Sequence, residues 1–599
     1  DTSLRPRTVT GDRQEFLGRN RSPADPAAFI RTGLSGATGA ALDPCAGLHG
    51  RFEVQPGGEA IVIFVLGQAA DRATAAQLAR HYRRPEAAQT ARREVTDEWD
   101  RRLGVVTVKT PDPALDAIAN RWLPYQVLSC RVWGRSAFYQ SGGAYGFRDQ
   151  LQDVLALLYA EPAEARAHLL RAASRQFLEG DVQHWWHPPT GRGVRTRFSD
   201  DFLWLPFAVA RYVEVTSDTG VLDEQVSYIR GPALKEGEHE SYYLPDTTAE
   251  SEPLFVHCLR ALDRGWALGA HGIPLMGCGD WNDGMNLVGA GGKGESVWVG
   301  WFQIAVRTQF ANLAERRGDA DLAARLRSQA EQLHKAIEEH AWDGDWYLRA
   351  WFDDETPLGS KQNDECQIDS LPQSWAILSG VGELDRSKKA LDAAVNFLVE
   401  WGSGLIKLFR PPFDRGSLQP GYIKGYVPGI RENGGQYTHA AVWLVQALAG
   451  LGKGGDAHAL WRLLNPLAHA ATPDDVRRYR VEPYVVAGDV YGVEPHVGRG
   501  GWTWYTGSAA WLYRAALETM LGFDKRGGLL QFDPRIPAAW PGYEVDYRHG
   551  RTLYRCRVEN PSGVERGVKE VWLDGRASPD RTISLADDGR DHEVRVVLG

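Results

Sequence analysis

The spacing of hydrophobic positions changes along the chain and divides it into four stretches. Up to about residue 67, short alternating runs at 50–54 and 60–66 flank Pro56-Gly57-Gly58, which predicts β-structure, with 60–66 as a buried strand. From 69 to about 102 the apolar positions take helical spacing among Ala, Arg and Glu, which predicts a helical connector. Between about 111 and 522, amphipathic segments of helix length recur at 113–131, 149–160, 163–179, 200–214, 252–269, 296–316, 319–341, 368–380, 386–400, 435–450, 456–464 and 505–520. Helices alternating with long connectors over such a span predict antiparallel pairs closed into an (α/α)6 barrel, because no 34-residue or similar sequence period supports a solenoid. Beyond 523, short runs at 543–547, 552–558 and 570–573 separated by Asp-Gly and Pro-Ser-Gly turns predict a small β unit. The fold class is therefore mainly α with β appendages.

Five connectors, 132–148, 181–199, 271–295, 402–434 and 480–504, are long and rich in Gly, Pro and aromatic residues. Long loops held by packed helices are where function concentrates. The net charge of -9 and pI near 6.0, with no run of Lys or Arg, argue against a nucleic-acid partner. The 6 cysteines are far apart with no Cys-x-x-Cys pair, so neither a zinc ribbon nor a disulfide framework is expected. A reducing, cytoplasmic compartment fits. The run 60–66 is too short to cross a bilayer, and the chain opens at Asp1 without Met, as a processed chain or the C-terminal piece of something longer would. The 22 Trp are far above their usual share, a bias common where sugar rings stack, although aromatic cores produce it too.

Gly279-Asp280-Trp281-Asn282-Asp283-Gly284 puts two carboxylates around an indole in a turn-prone segment. An aromatic face can lie against a sugar ring while a carboxyl protonates the glycosidic oxygen; a plain Asn/Asp/Gly loop around one buried Trp is the alternative. Three further connectors carry anion-binding chemistry. Ser141-Gly142-Gly143-Ala144-Tyr145-Gly146-Phe147-Arg148-Asp149 ends in an Arg-Asp pair at a helix start, where Arg148 can clamp an anion and Asp149 can accept from sugar hydroxyls, or the two can form a local ion pair. Arg431-Glu432-Asn433-Gly434-Gly435-Gln436-Tyr437-Thr438-His439 presents His439 at another helix start, as an anion donor or as a buried imidazole. Trp502-Thr503-Trp504-Tyr505-Thr506-Gly507 offers a hydroxyl and open N–H groups at Thr506 and Gly507, or an ordinary helix cap. Three anion groups and one acid pair, all in loops at helix starts, point to phosphate rather than water as the second substrate. No metal site is expected: His184 and His187 have no carboxylate or Cys at ligand spacing and read as sugar-subsite or packing residues.

Together these motifs, in order and approximate spacing, resemble the inverting β-glucoside phosphorylases of glycoside hydrolase family 94. The wording of 276–285 and 294–302, with Glu15-Phe16-Leu17-Gly18-Arg19-Asn20 and Leu42-Asp43-Pro44-Cys45, is most similar to the branch acting on β-1,2-glucans. That branch comprises 1,2-β-oligoglucan phosphorylases and the phosphorylase-like C-terminal region of cyclic β-1,2-glucan synthases. The resemblance implies a partial N-terminal β-sandwich (1–68), a helical linker (69–110), an (α/α)6 catalytic barrel (111–522) and a C-terminal β unit (523–599). It implies Asp283 as general acid, Arg148, His439, Thr506 and Gly507 as phosphate ligands, and Trp281 and Asp149 in the sugar subsite, with Asp280, Glu432 and Glu482 as further sugar-site candidates. No cofactor is implied beyond inorganic phosphate as co-substrate; the partners are a β-glucan oligosaccharide and phosphate or α-glucose 1-phosphate. A homodimer, and membership of a larger membrane-anchored synthase chain on the cytoplasmic side, are further implications. Two departures stand out: the β-rich N-terminal segment is far shorter than the family's, and Ser141-Gly142-Gly143 stands where cellobiose and chitobiose enzymes carry a second Arg. As a general acid Asp283 needs a raised pKa, expected from burial or from Asp280. The alternatives are an inverting hydrolase with Glu432 or Glu482 as base, a cellobiose-type phosphorylase, or a non-catalytic glucan-binding region of a synthase.

Overall fold

A computed structural model of the chain describes residues 1–137 and 140–599, so residues 138 and 139 of the connector 132–148 lie outside the described part. The chain divides into two units, 1–102 and 103–599. In the first, Arg7–Asp12 pairs antiparallel with Pro44–Gly50, and helix Arg72–Tyr82 starts on Asp71, whose carboxylate accepts from the Ala73 and Thr74 N–H groups. The expected buried strand at 60–66 does not form. Its one bridge is Thr2 with Phe64, and Ile61, Phe64 and Leu66 are 58%, 61% and 97% exposed. An apolar run is buried only if a second layer covers it, and a sequence pattern does not say whether one does.

The second unit is mostly helical. Trp204–Thr216, Val297–Arg316, Ser370–Leu378, Thr438–Gly450 and Ser508–Arg514 bury residues around most of their circumference. Leu254–Arg264, Ala320–His340, Leu384–Leu398 and Gly454–Leu464 bury one stripe and leave the other to solvent, as helices of an outer layer do. The buried helices touch in succession: Phe147–Asp153 meets Trp204–Thr216, then Val297–Arg316, Ser370–Leu378, Thr438–Gly450 and Ser508–Arg514, and the last returns to Phe147–Asp153. Their shared interior is aromatic. Trp298 stacks on Phe302 at 5.4 Å and on Trp443 at 6.0 Å, Trp204 meets Phe302 at 4.3 Å, and Trp443 meets Trp511 at 5.5 Å. Much of the Trp enrichment therefore serves this core, where each fully buried large apolar side chain is worth about 1.5–3 kcal/mol.

Four of the buried helices are entered through a two-residue strand: Tyr145–Gly146, Glu295–Ser296, Ile368–Asp369 and Gln436–Tyr437. Each pairs with a segment of another connector, so the loops at these helix starts are laced to one another rather than left free. The first belongs to a four-stranded antiparallel sheet with Gln183–His187, Arg192–Thr196 and Glu240–Tyr243. At the far end of the sequence, Gly542–His549, Thr552–Glu559, Val568–Leu573 and Asp591–Leu598 form most of a six-stranded sheet. Its edge is Val106–Lys109, a strand within the stretch expected as helical connector, paired to Gly542–His549.

Candidate active site

A cavity of about 400 Å³ opens at the laced helix starts. Asp283, Arg148, His439, Thr506, Gly507, Asp149, Trp281 and Glu432 all line it, although they come from four connectors spread over some 360 residues of sequence. Asp280 and Glu482 do not. Asp280 is wholly buried behind the wall, with one carboxylate oxygen on each Nη of Arg349 at 2.6 Å and further bonds from the Ser296 hydroxyl at 2.6 Å and the Asn282 N–H at 3.0 Å. Its oxygens are committed, so its reading as a sugar ligand is corrected to that of a loop anchor. Glu482 accepts from the Trp504 indole N–H at 3.1 Å and is not part of the cavity lining.

Asp283 opens a single helical turn, Asp283–Met285, which the Asn282 side chain caps by accepting from the Gly284 N–H at 3.1 Å. The turn presents the carboxylate to two cations. Arg148 donates through Nη2 to Asp283 Oδ1, while its Nη1 donates to Asp200 Oδ1 at 2.9 Å and to the Asp280 carbonyl at 2.8 Å. His184 Nε2 stands 3.6 Å from Asp283 Oδ2, and its Nδ1 faces Asp201 Oδ2 at 2.8 Å. The electrostatics differ from the expectation. Burial pushes the Asp283 carboxyl up, but Arg148 and His184 together outweigh it and hold it down at about 2. Burial likewise opposes the charge on His184, yet the two carboxylates lift it to about 10, so it is an imidazolium at neutral pH. The lift expected from Asp280 does not decide the outcome, because the charge of Asp280 is matched by Arg349 on the far side of the loop.

The cavity lining also carries the other anion candidates. His439 is buried, packed at 4.7 Å against Trp443, and its Nε2 has no hydrogen-bond partner among the described residues. Burial, then Arg131 and Arg148, push its pKa well below the ordinary value, so it is a neutral imidazole with one N–H to give. Gly507 lies beside it: a Cβ built there would stand 3.6 Å from His439 Nδ1. The Thr506 hydroxyl accepts from the Ser508 N–H at 3.2 Å and shares a 2.8 Å hydrogen bond with the Ser508 hydroxyl, so the cap-like bonding and the place on the cavity wall coexist. Trp281 is 7% exposed, edge-on to Tyr437 at 5.2 Å and His439 at 5.4 Å. Glu432 pairs with Arg431 at 3.3 Å, and burial raises its pKa against that pull.

The position of Arg131 and the partners of His184 are not evident from the sequence. Arg131 sits in a π-helical stretch, Val127–Trp133, and is buried with Nε on Asp153 at 2.8 Å, Nη2 on Asp149 at 3.1 Å and its guanidinium 4.1 Å from the Tyr505 ring centre. Inside a helix-length apolar segment, nothing local separates such a residue from a surface Arg. His184 has no carboxylate at ligand spacing; its partners, Asp201 and Asp283, are 17 and 99 residues away. The Asp200-Asp201 pair just before a helix is the one available signal.

Comparison with known proteins places the chain in a family. Residues 98–522 match the catalytic-domain model of the glycosyl hydrolase 94 superfamily, and residues 2–85 match the glycosyl hydrolase 94 supersandwich domain. The cyclic beta-(1,2)-glucan synthase NdvB of Rhizobium meliloti is 49% identical over 94% of this chain, which spans only 20% of that synthase. The N,N'-diacetylchitobiose phosphorylase of Vibrio proteolyticus is 30% identical over 99% of this chain and 74% of its own length. A more distant relative, the 1,2-beta-oligoglucan phosphorylase of Listeria innocua, is 21% identical over 71% of this chain and 40% of its own. No helix among the described residues is long and apolar enough to cross a membrane. A supersandwich segment followed by a helical catalytic domain thus marks the chain as a member of the glycosyl hydrolase 94 superfamily.

Proposed function

We propose that the chain catalyses reversible, inverting phosphorolysis of β-glucosides, with β-1,2-gluco-oligosaccharides as the glucan, giving α-glucose 1-phosphate and a shortened chain. The observation that carries this reading is that Arg148 donates to Asp283 in the same cavity that His439, Thr506 and Gly507 line. The 1,2-glucan preference is supported by the names of the synthase and oligoglucan phosphorylase relatives.

Before phosphate binds, Asp283 is ionised and paired. Phosphate that engages Arg148 draws that cation away and brings negative charge, and both changes raise the Asp283 pKa toward that of an acid. Asp283 takes up a proton from solvent as phosphate binds; as a phosphate oxygen then bonds to the anomeric carbon from the face opposite the leaving group, the glycosidic bond breaks and its oxygen takes that proton. The proton of hydrogen phosphate returns to Asp283, so charge and atoms balance without a catalytic base. The succession of buried helices fits an (α/α)6 barrel, and the chain's match to part of a synthase fits a catalytic region acting on the cytoplasmic side within a longer protein.

Phosphate dependence tests the reading. α-Glucose 1-phosphate offered with sophorose, cellobiose, laminaribiose or glucose should release phosphate fastest with the β-1,2 acceptor. Full-rate cleavage of a β-glucan without phosphate, giving only free sugar, would instead establish a hydrolase, with Glu432 as the base.

A further inference from the structure

The four-stranded sheet has an outward face that the mechanism above does not use. Trp185 lies opposite Val194, and Val194 lies opposite Tyr242, so the three residues share one face of neighbouring strands. Val194 is buried beneath, and the two aromatic rings close over it with centroids 5.4 Å apart and planes tilted by 38°. His187, two residues along the same strand, meets Trp185 edge-on at 5.2 Å, and the Arg192 guanidinium lies 5.7 Å from the Tyr242 ring centre. Trp185 and His187 also line the catalytic cavity, whereas Tyr242 lies beyond it and is 50% exposed. An aromatic ledge therefore runs without a break from the cavity mouth to the surface.

We propose that this ledge is an extended subsite for the distal glucosyl units of an oligosaccharide, the part of the chain that lies beyond the bond being made or broken. Aromatic faces bind the C–H faces of pyranose rings while leaving the hydroxyls hydrated, and Arg192 at the edge supplies donors to those hydroxyls. The inference rests on the carbohydrate reading of the cavity, because it is the cavity that delivers the chain to the ledge. A subsite here makes affinity grow with chain length, and it assigns that growth to Tyr242.

The test measures binding, so that it does not depend on turnover. The Asp283→Asn protein is titrated calorimetrically with β-1,2-, β-1,3- and β-1,4-gluco-oligosaccharides of two to five units. In the preferred series affinity should rise about fivefold on reaching the ledge, the size of one aromatic contact. Tyr242→Ala should remove that rise while changing disaccharide affinity by less than about twofold, and Tyr242→Phe should restore it. Affinity independent of length in all three series, or an equal loss at every length in Tyr242→Ala, would overturn the proposal. So would a Tyr242-dependent self-association of the protein without any length effect, which would mark the ledge as a protein contact. If length-dependent binding requires Tyr242 but the wild-type protein releases no phosphate, the ledge stands and the phosphorylase reading falls.

Discussion

Replacing Asp280 by Asn tests whether this carboxylate anchors the loop or binds sugar. Asp280 and Arg349 are both wholly buried, and the carboxylate takes two charge-assisted bonds from the guanidinium as well as one hydroxyl and one backbone donor. The amide introduced by Asp280→Asn would turn an N–H toward a guanidinium that has only donors, leaving a buried cation short of its partner; breaking a buried pair in this way costs about 3–5 kcal/mol. The low end applies here, because Asp369 remains 3.4 Å from Arg349 Nε and, though burial raises it to about 6, it stays available as a counter-charge. For a unit the size of 103–599, an unfolding entropy of about 1 kcal/mol/K turns this into a fall in Tm of about 3 °C. Because the Asp280 carbonyl also accepts from Arg148, turnover should fall with stability while sugar affinity changes little. Differential scanning fluorimetry and sugar titration on the same Asp280→Asn sample decide the matter. An unchanged Tm with a loss of sugar affinity of about tenfold or more would refute the anchor argument and restore Asp280 to the subsite.

Three other outcomes follow from the same geometry. Gly507→Ala should raise the KM for phosphate about tenfold in steady-state assays with little change in Tm, since the backbone there (φ -64) accepts alanine and the added methyl enters the cavity beside His439. His184 is raised from 6.5 unfolded to about 10 folded, so its stabilisation is complete below pH 6.5 and is lost as pH rises through 10; the Tm gap between wild type and His184→Gln should be widest near pH 6 and vanish above 10. Sulfate, which stays a dianion from neutral pH down to about 4, should bind more tightly as pH falls across that range, because the anion-bound cavity holds a proton on Asp283 that the anion-free one does not. Calorimetric titration should show that dependence disappearing in Asp283→Asn.

What the sequence made legible was local. Helix periodicity and the Gly279–Gly284 turn depend on residues a few positions apart, and so do Arg148 at the start of Phe147–Asp153 and His439 near the start of Thr438–Gly450. What it hid depended on which residue lies across the gap. Asp280 and Asp283 are equivalent by pattern, two carboxylates flanking an indole; Arg349, 69 residues away, makes one an anchor, and Arg148 and His184 hold the other ionised on the cavity wall. The same holds for Val106–Lys109, whose partner strand begins more than 430 residues later. The expected pKa of Asp283 failed for this reason too, since its sign is set by two cations that no spacing rule connects to it. That failure is informative about mechanism. In the proposed phosphorolysis, a carboxyl kept neutral by burial alone would be an acid at all times, whereas one held ionised by Arg148 would become an acid only when an anion competes for that arginine, which would tie proton delivery to the arrival of the nucleophile.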